Sequence, residues 1–165
     1  MFGQQRIYLA GPEVFRLDGE IEGYKLKALC MAHGLTGVFP LDEPESSSLG
    51  IYQACIAGLQ TCDAVVANIS PFRGPHMDPG TAFEIGYAVG LGKPVFGWTT
   101  HPADMHERIP HLFDEPAELR IDEGHMIVED HGHPENLMIT VPLASLHGTA
   151  EAAIAAAAAA LKRRR

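Results

Sequence analysis

Short apolar runs of strand length alternate with longer helix-length segments along most of this chain. The predicted strands are Arg6–Ala10, Thr36–Phe39, Asp63–Asn68, Pro94–Trp98 and Leu137–Val141. The predicted helices are Asp18–His33, Ile51–Thr61, Pro79–Leu91 and Thr149–Lys162. Strands that alternate with helices at this spacing favour right-handed crossovers. We therefore predict one α/β domain over residues 1–165, a doubly wound, mainly parallel five-stranded sheet flanked by helices.

The pattern is weaker between Thr99 and Glu135, a segment rich in His, Pro, Asp and Glu. It predicts only a short helix over Ala103–Arg108 and a strand near Met126–Glu129. His131 and His133 lie here beside acidic residues, but such loose spacing in a polar loop is more typical of a solvated segment than of a metal site. We predict no bound metal.

Glu84 is the one carboxylate within the apolar segment Pro79–Leu91. A helix that is apolar on most faces is buried, where an unpartnered charge is unfavourable by several kcal/mol. Glu84 therefore either lies on a narrow exposed stripe of the helix or serves a function. Asp78, the predicted N-cap, and Gly80, which allows close approach of a ligand to the backbone, favour a function. Both acids follow the end of a predicted strand, where an open α/β sheet binds its ligand.

The first strand ends at Gly11, where ligand-contacting loops begin in such sheets, and we assign Gly11 to substrate binding. No G-x-G-x-x-G pattern follows this strand, so the turn is not a dinucleotide fingerprint. Tyr8 points inward on the same strand. A buried phenol is either ordinary packing or a hydrogen-bond partner, and Glu84 is a candidate for that partner.

The charge balance excludes several classes of partner. With 21 Asp+Glu against 12 Lys+Arg, the formal net charge is -9, which disfavours binding to nucleic acid or to an anionic membrane. Neither a signal peptide nor a membrane-spanning run is recognisable, so we expect a cytoplasmic protein. The 3 cysteines lack CxxC spacing, which argues against a disulfide framework and a structural zinc site.

Four segments carry a family pattern: Ile7–Pro12 (IYLAGP), Asp63–Pro75 (DAVVANISPFRGP), Asp78–Ala88 (DPGTAFEIGYA) and Gly92–Val95 (GKPV). Together they resemble the nucleoside 2-deoxyribosyltransferase family, over a stretch from about Arg6 to Trp98. The most specific part is an acid followed six residues later by Glu-Ile-Gly-Tyr-Ala. The resemblance implies a flavodoxin-like (Rossmann-like) fold and an enzyme of nucleotide salvage that uses no cofactor.

The resemblance also implies a reaction, the exchange of the base of a 2'-deoxynucleoside for a free nucleobase by retaining double displacement. It implies that Glu84 attacks C1' to form a covalent glycosyl-enzyme and that Tyr8 orients its carboxylate. Such a nucleophile replaces one difficult displacement by two easier ones. Asp78 is implied either as the acid that protonates the departing base or as a ligand of the sugar hydroxyls.

The resemblance also suggests residues that contact the base and the sugar. The candidates for the base pocket are Phe15, Phe72 and Arg73, with an aromatic ring stacked on the base and the Arg73 guanidinium donating hydrogen bonds to it. The alternative is that each Phe is ordinary packing and Arg73 is solvated. Asn136-Leu-Met138 resembles an element that a neighbouring subunit supplies, with Asn136 on the deoxyribose and Met138 covering it. This implies a homo-oligomer, dimer or hexamer, with shared active sites.

The chain departs from the family at one position. Many relatives carry an acid that meets the base eight residues before the position of Asp63, where this chain has Cys55. A thiol is a poor substitute for a carboxyl donor, so Asp42, Glu43 or a water are alternatives for the general acid.

Two other functions fit the same pattern. One is a 2'-deoxynucleoside 5'-monophosphate N-glycosidase, whose phosphate the Ser46–Ser48 run could hold; Asp78 argues against it, because a carboxylate repels a phosphate dianion. The other is a nucleotide-sensing module without activity, against which the joint presence of Tyr8, Asp78 and Glu84 argues.

Overall fold

The computed structural model describes residues 4–43, 45–114 and 118–163. Residues 1–3, which belong to the segment considered for a signal peptide, lie outside this range, and so does Pro44. The strands are β1 (Arg6–Ala10), β2 (Thr36–Val38), β3 (Ala64–Asn68), β4 (Val95–Trp98), β5 (Leu112–Asp114), β6 (Leu119–Ile121) and β7 (Ser145–His147). The α-helices are α1 (Gly19–Ala32), α2 (Ser48–Thr61), α3 (Pro79–Gly90), α4 (Leu137–Thr140) and α5 (Ala150–Lys162).

Five strands form one parallel sheet in the order β2-β1-β3-β4-β7. This is the flavodoxin-like strand order, in which the chain reverses direction across the sheet between β1 and β3. The loops that leave these two strands separate to opposite faces of the sheet. They open a crevice at its carboxyl edge, and that crevice is where such folds bind ligands.

Alternation along the strands sends side chains to two separate cores. Ile7 and Leu9 of β1 pack in a cluster with α1 and α5, whereas Tyr8 packs in a second cluster with Leu59 of α2 and Ile85 of α3. Tyr8 is therefore directed toward the layer that holds α3, the helix of Glu84.

The predicted elements are confirmed through Trp98 and for α5, while three predictions beyond Trp98 need correction. Leu137–Val141 is not a strand, because the Asn136 side chain accepts a hydrogen bond of 2.9 Å from the Met138 amide and starts α4 instead. The last strand of the sheet is β7. Met126–Glu129 is not a strand either, since only Ile127 forms an isolated bridge, to Ile121 of a β5–β6 hairpin that the sequence did not indicate. The short helix near Ala103–Arg108 is a single 3-10 turn.

Helix α3 is less buried than its apolar sequence predicts. Ile85 and Ala88 are buried, but Phe83 is 52% and Val89 38% exposed. Phe83 stacks with Tyr87 on this outer face, at 6.2 Å between ring centroids. Among the described helices, none combines the length and apolar character that a membrane crossing requires.

Candidate active site

Tyr8 and Glu84 meet on the face of the sheet that α2 and α3 cover. The Tyr8 hydroxyl donates a hydrogen bond of 2.6 Å to Glu84 Oε1. Tyr8 is 1% exposed and lies in the middle of β1, which is paired with a strand on either side. Glu84 lies in the second turn of α3. A paired strand and a helix therefore hold the two ends of this bond, and the structure brings the two predicted residues into direct contact.

The electrostatics of this pair set the charge on Glu84. Burial raises the pKa of Glu84 to about 7, the hydrogen bond from Tyr8 lowers it, and the negative charge of Asp78 raises it. Burial and the charge of Glu84 raise the pKa of Tyr8 far above its ordinary value, so the phenol stays protonated and donates. A carboxyl that titrates near neutral pH beside a fixed donor is typical of a functional site.

Asp78 is the N-cap of α3, as the sequence predicts. Its Oδ2 accepts hydrogen bonds from the Thr81 amide at 2.7 Å and the Thr81 hydroxyl at 2.8 Å. Asp78 is 5% exposed, and its Oδ1 accepts no hydrogen bond from the part of the chain that the structure describes. A Cβ on Gly80 would stand 3.1 Å from Oδ2, so the glycine leaves space beside the carboxylate. One oxygen of Asp78 is thus anchored and the other is available to a ligand.

Phe15, Phe72 and Arg73 form one group at the carboxyl edge of the sheet. The two rings stack at 5.1 Å between centroids, and the Arg73 guanidinium lies 4.5 Å from the Phe72 centroid. Arg73 has a φ of 52°, a left-handed conformation that is unusual for a residue with a side chain. Both rings line a cleft of about 420 Å³ together with Trp98, and we refer to it as the aromatic cleft. Its size and its flat apolar walls suit a planar heterocycle.

Glu13 and Asn68 lie at the junction of β1 and β3 and also line the aromatic cleft. Asn68 Nδ2 donates a hydrogen bond of 2.5 Å to Glu13 Oε1, and Asn68 Oδ1 accepts one of 2.9 Å from the Ser70 amide. A Cβ on Gly11 would stand 2.0 Å from Glu13 Oε2 and 3.0 Å from Asn68 Cβ. A side chain at position 11 would therefore displace the Glu13 carboxylate, which folds back over the end of β1. Sequence reasoning selected Gly11 but missed Glu13 and Asn68.

The aromatic cleft and the Tyr8–Glu84 pair are neighbours rather than one cavity. The cleft is lined by residues that follow β1, β3 and β4, and none of Tyr8, Asp78 and Glu84 is among them. The turn that carries Glu13 begins directly after β1, and the loop that carries Phe72 leads from β3 to Asp78. The two loops that border the crevice thus each carry part of the aromatic cleft.

The alternative acids Asp42 and Glu43 line a cavity of about 410 Å³ together with Tyr8. Asp42 pairs with Lys27 and accepts a hydrogen bond of 2.8 Å from the Phe39 amide, so it holds the start of its own loop. Glu43 is exposed. Cys55 lies close enough to the Tyr8 phenol to interact with it, and burial raises the pKa of its thiol, which leaves it protonated. Ser47 caps α2 by accepting a hydrogen bond of 3.0 Å from the Gly50 amide.

Asn136 and Met138 lie at the start of α4. Asn136 Nδ2 donates a hydrogen bond of 3.0 Å to Glu129, and Met138 is 74% exposed. Neither residue forms a hydrogen bond with Tyr8 or Glu84 within the described chain. The structure of one subunit thus leaves Met138 available to a surface other than its own Glu84 site.

Two residues that hold neighbouring segments together were not selected from the sequence. Glu135 is 3% exposed and accepts hydrogen bonds from the amides of Met77 at 2.8 Å and Asn136 at 2.9 Å, which ties the loop before Asp78 to α4. Lys93 is not a free surface residue, because its Nζ donates to three carbonyls at the end of α2, at 2.6 to 2.7 Å. A Lys near a helix end is a known capping signal, although here it caps a different helix.

Asp104, His106 and Asp130 have potential metal-ligating atoms within 4.8 Å of one another. Asp130 is already paired with Arg120, and its other oxygen lies 3.1 Å from His106 Nδ1, a buried atom that forms no hydrogen bond with the described residues. This group of described residues contains neither His131 nor His133.

Comparisons with known proteins support one family and fold for this chain. A sequence model of the nucleoside 2-deoxyribosyltransferase family matches residues 7–138. A 2-deoxyribosyltransferase of Leishmania mexicana is 32% identical, with a TM-score of 0.81 over 94% of this chain and 97% of that one. A 2-deoxyribosyltransferase of Bacillus psychrosaccharolyticus, 22% identical with a TM-score of 0.56, covers 89% of this chain and 88% of its own and shares the fold.

An uncharacterised protein of Schizosaccharomyces pombe is 38% identical over 113 residues, which cover 62% of this chain. The match covers 54% of that protein, so the chain spans about half the length of this curated relative. The family match covers most of the chain, including Tyr8, Asp78 and Glu84. The chain therefore belongs to the nucleoside 2-deoxyribosyltransferase family.

Proposed function

We propose that this protein transfers 2-deoxyribose between nucleobases of 2'-deoxynucleosides, through a covalent intermediate on Glu84. The observation that carries the proposal is the 2.6 Å hydrogen bond from the buried Tyr8 to Glu84, whose pKa the charge of Asp78 also raises. Membership of the family supports the reaction class.

In the first half of the reaction, Glu84 attacks C1' of the deoxyribose and the bond from C1' to the base breaks. Tyr8 holds Oε1, and Oε2 accepts no hydrogen bond from the described residues, so Oε2 is the attacking atom. In the second half, a nitrogen of the incoming base attacks C1' and Glu84 departs as a carboxylate. Two inversions give overall retention. The hydrogen bond from Tyr8 stabilises Glu84 as a leaving group as well as orienting it as a nucleophile.

Asp78 serves the sugar rather than the base in this proposal. Its Oδ2 is fixed by Thr81, and its Oδ1 accepts a hydrogen bond from a hydroxyl of the deoxyribose. A buried carboxylate at this point repels a 5'-phosphate, so the substrate carries a free 5'-hydroxyl. A Cβ on Gly80 would lie 3.1 Å from Oδ2 and 4.0 Å from Oδ1, so Gly80 leaves space beside the carboxylate.

The base lies in the aromatic cleft against Phe15 or Phe72, and Arg73 donates to its ring nitrogens or carbonyls. Aromatic stacking accepts purines and pyrimidines alike. The exchange therefore proceeds with either class of base, and Gly11 allows the base to approach the end of β1.

Self-association completes the site in this proposal. Apolar side chains of the kind that subunit contacts cover are exposed on and beside α2, α3 and α4. They include Tyr52, Phe83, Met138 and Val141, whose exposed fractions are 53%, 52%, 74% and 65%. Asn136 and Met138 then reach the sugar bound to a neighbouring subunit.

Subunit exchange tests this sharing of the site. A mixture of inactive Glu84→Gln and inactive Asn136→Ala proteins should regain activity once subunits exchange, because some sites then combine an intact Glu84 with an intact Asn136. The mixture stays inactive if each subunit carries a whole site.

The direct test of the activity mixes the protein with 2'-deoxyinosine and free adenine and follows both by chromatography. We expect 2'-deoxyadenosine and hypoxanthine in equal amounts, at the same rate with and without EDTA. Inosine in place of 2'-deoxyinosine reports the requirement at the 2'-position. Release of hypoxanthine with no new nucleoside means that the protein is a hydrolase, and no change in either compound rules out the proposed activity.

A further inference from the structure

The proposed exchange, on which this inference rests, needs a proton on the base side of the reacting bond. When the bond from C1' to the base breaks, its electron pair stays on the base. Protonation of a ring nitrogen neutralises that charge in the transition state. A group that donates this proton has to lie beside the base, not beside the sugar.

The acids around the aromatic cleft differ in their partners. Glu22 pairs with Lys25 at 2.7 Å, and Asp18 pairs with Arg16 at 2.8 Å. Glu13 has no Lys or Arg within ion-pair distance in the part of the chain that the structure describes. Among these three acids, Glu13 is therefore the one without an ion-pair partner in the described residues.

The contacts of Glu13 leave one oxygen free to carry a proton. Oε1 accepts the hydrogen bond from Asn68, whose own orientation is fixed by the Ser70 amide. Oε2 accepts no hydrogen bond from another described residue. Burial raises the pKa of Glu13 above its ordinary value, although the hydrogen bond from Asn68 and the charge of Arg16 lower it. Glu13 is thus an oriented carboxyl group with one oxygen that faces no other donor of the described chain.

We propose that Glu13 is the proton donor to the departing base and takes the proton back from the incoming one. In the first half, the electron pair of the bond to C1' passes to the base, the Glu13 proton moves to a ring nitrogen, and Glu84 bonds to C1'. In the second half, Glu13 removes the proton from the incoming base as that base bonds to C1'. The two halves restore Glu13 and Glu84, so no other reactant is needed.

Glu13 lines the aromatic cleft together with Phe15 and Phe72. The proposed function places the base in this cleft, so Glu13 lies on the base side of the reacting bond in this proposal. Asp78, in contrast, is assigned to the sugar and lies outside the cleft lining.

The test compares two leaving groups in the Glu13→Gln protein. The base of 2'-deoxyinosine needs a proton to leave, whereas 7-methyl-2'-deoxyguanosine carries a positive charge on its base and needs none. We expect kcat/KM to fall by about 100-fold or more with 2'-deoxyinosine. With the methylated substrate it should stay within a factor of about 3, because the charged base leaves as a neutral molecule without help from a general acid. Glu20→Gln, the same change on the exposed face of α1, should leave the ratio of the two rates unchanged.

Equal losses with both substrates would show a purely structural role for Glu13, and no loss with either would show that it donates no proton; both overturn the inference. If Glu13→Gln does not fold by circular dichroism, Glu13→Asp keeps a carboxyl but withdraws it, and the same selective loss is expected. Absence of exchange by the unmodified protein would instead refute the proposed function itself, before any variant is compared.

Discussion

The hydrogen bond from Tyr8 to Glu84 should set the pH at which the protein becomes active. Tyr8→Phe removes only the hydroxyl, because a Phe ring fills the same buried space. The hydrogen bond favours the ionised form of Glu84, so its loss should raise the pKa of Glu84 above about 7. A bond to a charged group contributes about 1.5–3 kcal/mol. This corresponds to a rise of roughly 1 to 2 pKa units.

The size of the effect follows from the ionised fraction. With a pKa of about 7, half of Glu84 is ionised at pH 7 in the unmodified protein. With a pKa of roughly 8 to 9, about 10% to 1% remains ionised at that pH. The rate at pH 7 should therefore fall by roughly 5- to 50-fold and recover at higher pH, apart from any loss through poorer orientation of Glu84.

The assay is the pH profile of kcat/KM for base exchange, which reports groups of the free enzyme. The acidic limb should move to higher pH in Tyr8→Phe. Tyr87→Phe is the matched control, because the Tyr87 hydroxyl accepts a hydrogen bond of 2.8 Å from Gln60 and forms none with Glu84. A limb that stays in place, or moves to lower pH, would refute the reasoning about Tyr8.

Three further outcomes follow from the same contacts. Burial raises the pKa of Glu84 from 4.5 to about 7, so its contribution to the free energy of unfolding is fully present below pH 4.5 and is lost as the pH rises through 7. In urea unfolding, Glu84→Gln should therefore match the parent at pH 4 and be more stable by at most about 3 kcal/mol at pH 8. Asp78→Asn removes a charge that raises the pKa of Glu84 but keeps the helix cap, so the acidic limb of the rate profile should move to lower pH while the unfolding temperature changes little. Lys93→Met leaves three carbonyls at the end of α2 without their donor and should lower stability by about 1–3 kcal/mol, with the exchange rate at 25 °C unchanged; an unchanged unfolding temperature would contradict the capping role.

The first part of the fold was predictable because local signals and burial agree there. β1, β3 and β4 are buried apolar runs, and Asp78 followed by Pro79 is a strong helix start. The segment after Trp98 has few buried residues to fix its periodicity. There, the hydrogen bond of Asn136 to the Met138 amide outweighs the β-branched character of the segment that follows and gives α4 instead of a strand.

Site residues that belong to the family's sequence pattern were predictable. Residues that are held together only by contacts between distant parts of the chain were missed. Glu84 stands out in its own helix, and Tyr8 stands out in its strand. Glu13 and Asn68 are 55 positions apart, and only the pairing of β1 with β3 brings them together. Glu135 reaches the Met77 amide across 58 positions, again through tertiary contact alone. No periodic pattern of hydrophobic and polar positions in the sequence marks such pairs.

The central claim is that Glu84 becomes covalently bonded to the sugar, and peptide mass spectrometry of the trapped intermediate tests it most directly. The protein is incubated briefly with 2'-deoxyinosine and no acceptor base, quenched with acid and digested. We predict a mass increase of one 2-deoxyribosyl group on the peptide that contains Glu84. Free adenine added before the quench should remove this group as 2'-deoxyadenosine. The corresponding peptide of Glu84→Gln should show no such increase. Exchange that proceeds in Glu84→Gln, or a sugar attached to a different residue, would contradict the account.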